Sequence, residues 1–192
     1  MKKLIHKITA PDYPIQGRGA LVTFELFFFL FLVCGFIGFV YEEIYFLIAD
    51  GHLSYRGFLY GPILPVYAFG GVGIYLLFNR FRKYPPVVFF GAMLLTGVLE
   101  FLTGWTMWNL FHQHWWDYTN KPLNIAGYVC LESVLSFAIA GLLLIYIIAP
   151  RLLKAADHMS EKKRNILFAV LALVFVADVI LSFVVPNPLG IR

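Results

Sequence analysis

Charged residues are scarce in this sequence, since 14% of its 192 residues are Asp, Glu, Lys or Arg, whereas soluble domains contain about a quarter. Cysteine is scarcer still, and Cys34 and Cys130 alone make no disulfide framework. Hydrophobic residues are abundant: they make up 60% of the chain, and the mean hydropathy is +0.78. One small core cannot hide so much apolar surface from water. The composition therefore excludes a soluble enzyme, a nucleic-acid binder and a disordered chain, and it predicts a membrane protein.

Five apolar stretches are long enough to cross a bilayer, which takes about 20 mostly apolar residues. They comprise residues 20–48, 57–78, 86–111, 127–149 and 166–185. We therefore predict an all-α bundle of five transmembrane helices in a single domain, residues 20–185, with loops at the breaks between the stretches. Gly57, Gly61 and the prolines at 62 and 65 predict that the outer half of the second helix is kinked or broken.

The distribution of basic residues predicts the orientation. Twelve of the 15 Lys and Arg residues lie in three segments: four in residues 1–19, three in the break at 79–85 and five in the break at 150–165. Cytoplasmic loops carry the excess of positive charge in membrane proteins. We therefore expect a cytoplasmic N-terminal segment and an outer C-terminal tail, residues 186–192.

Seven of the eleven acidic residues fall in the outer half of the predicted helices or in outer loops, and Glu42 and Glu100 are the most informative of them. An ionisable group inside a membrane span costs roughly 2.5–3.5 kcal/mol on insertion scales, so it usually faces the bundle or water and marks function. Each of these two glutamates shares a helix face with small residues, which let helices approach closely. We predict that the two carboxylates are close neighbours, within reach of one another or of a shared water or Arg56. The alternative is a structural role for Glu100 as a buried hydrogen-bond partner. The small residues are Gly35, Gly38, Gly97 and Gly104.

Several other polar residues allow two interpretations. Cys130 is either a small buried residue or a reactive thiol activated by a histidine of the adjoining loop. Zinc binding by His112, His114, Asp117 and Cys130 is a further option, although the spacing matches no established zinc pattern. Asp178 either lines a pathway or accepts a hydrogen bond from a neighbouring segment, and the second is favoured. No motif indicates a cofactor.

Three segments resemble a known family. They are GFLYGPILPVYAFGG (57–71), VLEFLTGW (98–105) and WWDYTNKPLNIAGYVCLE (115–132), and they are similar in order and spacing to the bacterial family labelled putative ABC-transporter permease, type IV, or CmpB-like. The resemblance implies a small integral protein of the bacterial cytoplasmic membrane, nominally a permease. The family usually has Asn-Gly-Arg where this chain has Ala-Gly-Tyr at 126–128, so the resemblance brings no cation to Cys130. The sequence contains no Walker A motif, so ATP hydrolysis would come from another subunit.

The predicted function is a membrane permease or a substrate-binding transmembrane component. An excess of acids over bases favours a small cationic or zwitterionic ligand in an outward-facing cavity. The first alternative is a membrane-embedded enzyme acting on lipid at the outer leaflet, with Glu100 or Asp117 as general base and Cys130 or a histidine as nucleophile. The second is a non-catalytic assembly protein. Expected partners are membrane lipid, a second copy of the chain or a separate ATPase, and no nucleic acid. The predicted ligand-binding residues are Glu42, Glu43, Arg56, Tyr60, Glu100, Trp116, Asp117, Tyr118, Cys130 and Glu132.

Overall fold

The computed structural model describes residues 14–15, 17–51, 53, 57–112 and 114–185, and its regular secondary structure over these residues is helical. Six α-helices follow one another along the chain, with a short 3₁₀ turn after the second and a π-helical turn after the fourth. They are α1 Ala20–Asp50, α2 Pro65–Phe78, α3 Pro85–Phe111, α4 Leu131–Leu143, α5 Ala149–His158 and α6 Glu161–Val184.

Four helical stretches are long and apolar enough to cross a membrane: Ala20–Ile48, Pro85–Phe111, Leu131–Asp157 and Glu161–Val184. In the most apolar 18 residues of each stretch, between 6% and 33% of the residues are buried inside the protein. Most of their hydrophobic side chains therefore face outward. Lipid is the solvent that accepts such a surface. The chain is an integral membrane protein with an all-α fold, as the sequence predicts. The number of crossings and the side on which each terminus lies stay predictions.

The second predicted span is wrong in its first part. Residues 57–64 are not helical, and α2 has 14 residues, or about 21 Å at 1.5 Å per residue, against a hydrocarbon core of about 30 Å. Proline at 65 takes the first position of α2, where its missing N–H costs nothing, and it disfavours helical backbone at Leu64. The prediction that the first half of this span is kinked or broken is thus confirmed, and the helix is completely interrupted there.

The break predicted at 150–165 is also wrong, because the helix continues through Pro150 as far as His158. The π-helical turn Leu144–Ile148 precedes this proline, and there the N–H of Ala149 bonds to the carbonyl of Leu144, five residues back. A wider turn relieves the clash of a proline ring with the preceding turn. Two residues, 159 and 160, separate α5 from α6. The helices on either side also differ from the prediction, since α4 begins at 131 instead of 127 and α6 at 161 instead of 166.

The described chain forms two compact units. One comprises residues 73–150, and the other comprises the described residues between 14 and 72 together with 151–185. In the first unit α3 packs against α4 through small residues: a Cβ on Gly141 would lie 2.6 Å from the Cβ of Ala92, and one on Gly97 would lie 3.2 Å from Val134. Small residues at helix contacts are the usual device in lipid, where apolar side chains gain little by leaving the solvent.

In the second unit α1 contacts both α2 and α6. A Cβ on Gly38 would overlap the ring of Tyr67, so the predicted packing role of this glycine is confirmed. The rings of Phe28 and Phe168 meet edge to face at 5.3 Å. At the same end of the two helices, Arg164 Nε donates to Glu25 Oε2 at 2.7 Å, and this carboxylate is 1% exposed. The ion pair thus lies within the helix contact.

Candidate functional site

The first unit contains a buried carboxylate, Glu100 of α3, which is 8% exposed. The hydroxyl of Tyr118 donates to its Oε1 at 3.0 Å, and the hydroxyl of Ser133 lies 2.8 Å from its Oε2. These three side chains come from α3, from the loop that follows it and from the first turn of α4. We call them the Glu100 centre. Residues that are distant in sequence are thus brought to one acid inside a membrane-spanning unit.

The loop 112–130 places Tyr118 at this centre. The side-chain amide of Asn124 donates to the carbonyls of Thr119 and Lys121, both at 3.0 Å, while its oxygen accepts the N–H of Gly127 at 3.1 Å. The N–H of Tyr118 bonds to the carbonyl of Gly127 at 2.9 Å. Asparagine satisfies several backbone groups of a turn with one short side chain. The loop is therefore a compact hydrogen-bonded structure.

Backbone conformations with positive φ give the loop its shape. Ala126 has φ +53° and Gly127 has φ +75°, so the chain makes a left-handed turn there. A Cβ on Gly127 would lie 2.8 Å from the hydroxyl oxygen of Thr119, which adds a steric reason for glycine. Alanine is unusual in this region, whereas asparagine tolerates it. The Asn-Gly pair that the resemblance associates with this segment fits the same backbone.

Aromatic residues fix the loop to α3. The indole N–H of Trp116 donates to the carbonyl of Tyr128 at 2.8 Å, and the Tyr128 ring meets Phe101 edge to face at 5.5 Å. The ring of His114 stacks on Trp108 at 4.2 Å. The polar group of Trp116 is thus used within the loop, and this residue contributes to the candidate site by holding the loop in position.

Asp117 is exposed and directs its hydrogen bonds along the loop. Its Oδ1 accepts the N–H of Thr119 at 2.9 Å and also the hydroxyl of that residue. These two bonds hold the pKa of Asp117 below its ordinary value. The side chain is therefore a charged turn-forming group, which suits it poorly to act as a general base.

Cys130 caps helix α4. Its Sγ accepts the N–H of Ser133 at 3.5 Å, the hydroxyl of Ser133 lies 3.3 Å from the N–H of Cys130, and the thiol residue is 2% exposed. This geometry is a capping box, with cysteine in the place that serine usually takes. Glu132, in the first turn of the same helix, pairs with Lys121 at 2.9 Å. The structure therefore favours the interpretation of Cys130 as a structural residue.

Sequence analysis missed Ser133, although it contacts Glu100. The available signal was its position three residues after Cys130, just before an apolar run, which is the spacing of a capping box. Asn124 was not predicted either, because the residues next to it in the sequence do not show which backbone groups its side chain would bind.

The second unit holds the remaining predicted residues. The hydroxyl of Tyr67 donates to Glu42 Oε1 at 2.6 Å, and the neighbouring Glu43 is 8% exposed and so more buried than Glu42. Tyr60 donates its hydroxyl to the carbonyl of Val185 at 3.1 Å. Arg56 lies outside the described residues. Since Glu42 and Glu100 belong to different units, the prediction that their carboxylates are neighbours stays a prediction.

Asp178 of α6 holds the interrupted segment 57–64. Its two carboxylate oxygens accept the backbone N–H groups of Tyr60 and Gly61 at 2.9 and 3.0 Å. A Cβ on Gly61 would lie 2.8 Å from one of these oxygens, so this glycine allows the close approach. The hydrogen-bonding role that the sequence favours for Asp178 is confirmed.

Among the residues that the structure describes, no group of three or more His, Cys, Asp or Glu side chains is arranged to hold a metal ion. The zinc arrangement of His112, His114, Asp117 and Cys130 is therefore not formed.

Comparison with known proteins gives one family. The family model described as "Putative ABC-transporter type IV" matches residues 29–183, a range that includes the Glu100 centre, the loop 112–130 and Asp178. No curated protein and no solved structure matches the chain.

Proposed function

The chain belongs to the Putative ABC-transporter type IV family, and from this premise we propose that it is a permease or substrate-binding transmembrane component whose ligand site is the Glu100 centre. Membership and the apolar helices together make it a membrane protein related to transport. The proposal adds a site and a class of ligand. The ligand is a small cation or zwitterion, and its ammonium group binds the carboxylate of Glu100.

The observation that carries this proposal is the way in which Glu100 is satisfied. The hydroxyl groups of Tyr118 and Ser133 donate to it, and the Ser133 hydroxyl also lies 2.9 Å from the carbonyl of Cys130. Hydroxyls rotate, and each has a second function as an acceptor. An ammonium ligand can therefore take the place of a hydroxyl at the carboxylate while the displaced hydroxyl turns to another acceptor.

The loop 112–130 provides the means of access. Tyr118 reaches Glu100 from this loop, whose internal hydrogen bonds keep it compact. A compact loop can move as one piece about its ends, near His112 and Cys130, which lie at the ends of the helices that flank it. We propose that such a movement admits the ligand to Glu100.

We also propose the setting of this activity. These 192 residues contain no nucleotide-binding motif of the Walker A type, so a separate ATPase subunit supplies energy to the transport. The complex contains a second copy of the chain or a further membrane subunit. It lies in the bacterial cytoplasmic membrane, where the ATPase subunit has access to ATP.

Ligand-induced stabilisation of the purified protein in detergent tests the site. Choline, arginine and spermidine serve as cationic probes, and thermal unfolding is followed for the wild type, Glu100→Gln and Glu132→Gln. A probe present at about 100 times its Kd should stabilise the wild type by about 2.7 kcal/mol, which raises Tm by several degrees. Glu100→Gln should lose this shift, because a neutral amide attracts no cation.

Glu132→Gln is the matched control, since it also neutralises a glutamate of the same unit but one that is exposed and paired with Lys121. It should keep the full shift. Equal shifts in Glu100→Gln and the wild type, or no shift with any of the three probes, would contradict the proposal. An equal loss of the Tm shift in both variants would show that the probes respond to the net charge of the protein and not to Glu100.

A further inference from the structure

An open apolar groove of about 410 Å³ lies in the first unit, between the end of α2 and the first turns of α3. Gly91 lies beneath the ring of Phe78 so closely that a Cβ on this glycine would overlap the ring. Phe90 and Leu94 are 61% and 70% exposed, so the side chains of the groove meet the surrounding lipid. The groove is lined by Phe78, Pro86, Val87, Phe90, Gly91 and Leu94.

One end of this groove meets a basic segment, residues 79–84, which joins α2 to α3. Arg80 and Lys83 are exposed there, and the Arg80 guanidinium lies 4.7 Å from the centre of the Phe81 ring. The segment contains no acidic residue, and neither of these two cations is ion-paired within the part of the chain that the structure describes. Its backbone is anchored, because the hydroxyl of Tyr146 donates to the carbonyl of Arg82 at 2.6 Å. Two exposed cations therefore lie in the short segment between Phe78 and Pro86, which both line the groove.

We propose that this groove binds an anionic phospholipid, with one acyl chain against Phe78, Gly91 and Leu94 and the phosphate between Arg80 and Lys83. Basic groups next to an apolar cleft in a membrane protein match both parts of such a lipid. We assign the phosphate to these side chains and not to the start of α3, because the first two residues of this helix are Pro85 and Pro86 and have no N–H to offer. The site is separate from the Glu100 centre and independent of the proposed function.

Lipid binding by the delipidated protein in detergent tests this assignment by native mass spectrometry. The probes are dioleoyl phosphatidylglycerol and dioleoyl phosphatidylcholine, which share acyl chains and differ in net charge. We expect tighter binding of phosphatidylglycerol. The double variant Arg80→Gln/Lys83→Gln should weaken it by about 30-fold, since each cation near a lipid headgroup contributes about a factor of five. The variant should leave phosphatidylcholine binding unchanged.

Two further variants separate this site from general effects. Lys162→Gln/Lys163→Gln removes two exposed lysines of α6 and should leave phosphatidylglycerol binding within about twofold. Val87→Trp fills the groove and should reduce binding of both lipids. Equal affinity of the wild type for the two lipids, equal loss in the two double variants, or unchanged binding by Val87→Trp would overturn the proposal. A shift from dimer to monomer in Val87→Trp would also overturn it, because the groove would then be a contact between copies of the chain.

Discussion

Carboxylates in the membrane-spanning helices of this protein differ in the donors that satisfy them. Glu100 and Glu42 accept bonds from hydroxyl groups, Glu25 accepts from the guanidinium of Arg164, and Asp178 accepts from backbone amides. Backbone amides cannot leave without unfolding the segment, and the Arg164 guanidinium cannot leave without stranding the charge of buried Glu25. A hydroxyl donor can be exchanged for a ligand at smaller cost. The two acids with hydroxyl donors are therefore the ones that the proposed function assigns to binding, and the other two maintain the fold.

Cys130 gives a residue-scale test of whether the protein is a transporter or a thiol enzyme. Serine is among the preferred residues at a helix N-cap, so Cys130→Ser should keep the free energy of unfolding within about 0.5 kcal/mol of the wild type. Cys130→Ala removes the cap and should lower it by about 1 kcal/mol. Thermal unfolding measures both, and transport of the bound probe into liposomes should survive in Cys130→Ser. Loss of activity in a fully stable Cys130→Ser protein would support a nucleophilic thiol instead.

At the scale of elements, two prolines that both lie in apolar stretches differ in their effect on the helix. Pro65 ends an interruption and begins α2, whereas Pro150 lies inside a continuous helix because the π-helical turn before it makes room. A proline in an apolar stretch predicts a break at both places. The local pattern shows that a hydrogen bond is lost, but it does not show whether the neighbouring turn or a distant side chain compensates for it.

The interruption before α2 is predicted to depend on Asp178. Replacing it by alanine leaves the N–H groups of Tyr60 and Gly61 without the carboxylate, at a total cost of about 1–3 kcal/mol, since the first bond is exposed and the second part-buried. Asp178→Ala should therefore lower Tm by several degrees and make the segment 57–64 more sensitive to protease. Ser182→Ala is the control on the same helix, because Ser182 contributes one long bond of 3.4 Å to Asp178. Equal effects of the two substitutions would contradict the assignment.

At the scale of the whole molecule, the number of crossings depends on whether α2 and the segment before it traverse the bilayer. Four stretches are long enough to cross by themselves, while the basic residues in residues 1–19, at 79–84 and in the segment 151–164 favour the cytoplasm for all three segments. Two helices, α3 and the one that ends in α5, separate the second segment from the third, so these two share a side in any case, but the N-terminal segment shares it only if α2 also crosses. The predicted five-helix topology and the short α2 are therefore compatible.

Cysteine labelling measures this topology. Lys83→Cys and Lys162→Cys should be protected from a membrane-impermeant maleimide in intact cells, and Asn120→Cys should react. A reporter fused after Arg192 should signal from outside. If α2 entered and left on the same side, the segment 79–84 would lie opposite the N-terminal segment, so different labelling of Lys3→Cys and Lys83→Cys, or a reactive Lys83→Cys, would end the five-helix prediction.

Much of the architecture could be predicted because lipid imposes a simple rule on composition and length. The helix α3 was placed within one residue of its observed start, and the membrane class and family followed from the same apolar runs and motifs. The partners of the acids could not be predicted in the same way. Glu100 meets Ser133, and Asp178 meets Tyr60, 118 residues away, and contacts of this kind leave no periodic trace in a single sequence.

The ion pair between Glu25 and Arg164 also sets the order of assembly during synthesis. The two residues are 139 positions apart, and a ribosome adding about 5–20 residues per second needs roughly 7–30 s to pass from one to the other. Throughout this interval the nascent helix α1 carries an acid whose partner has not yet been made. The second unit can therefore close only after the start of α6 has emerged, whereas residues 73–150 are already complete and free to fold. The order of the chain thus allows its middle to fold before its first helix meets its partner in α6.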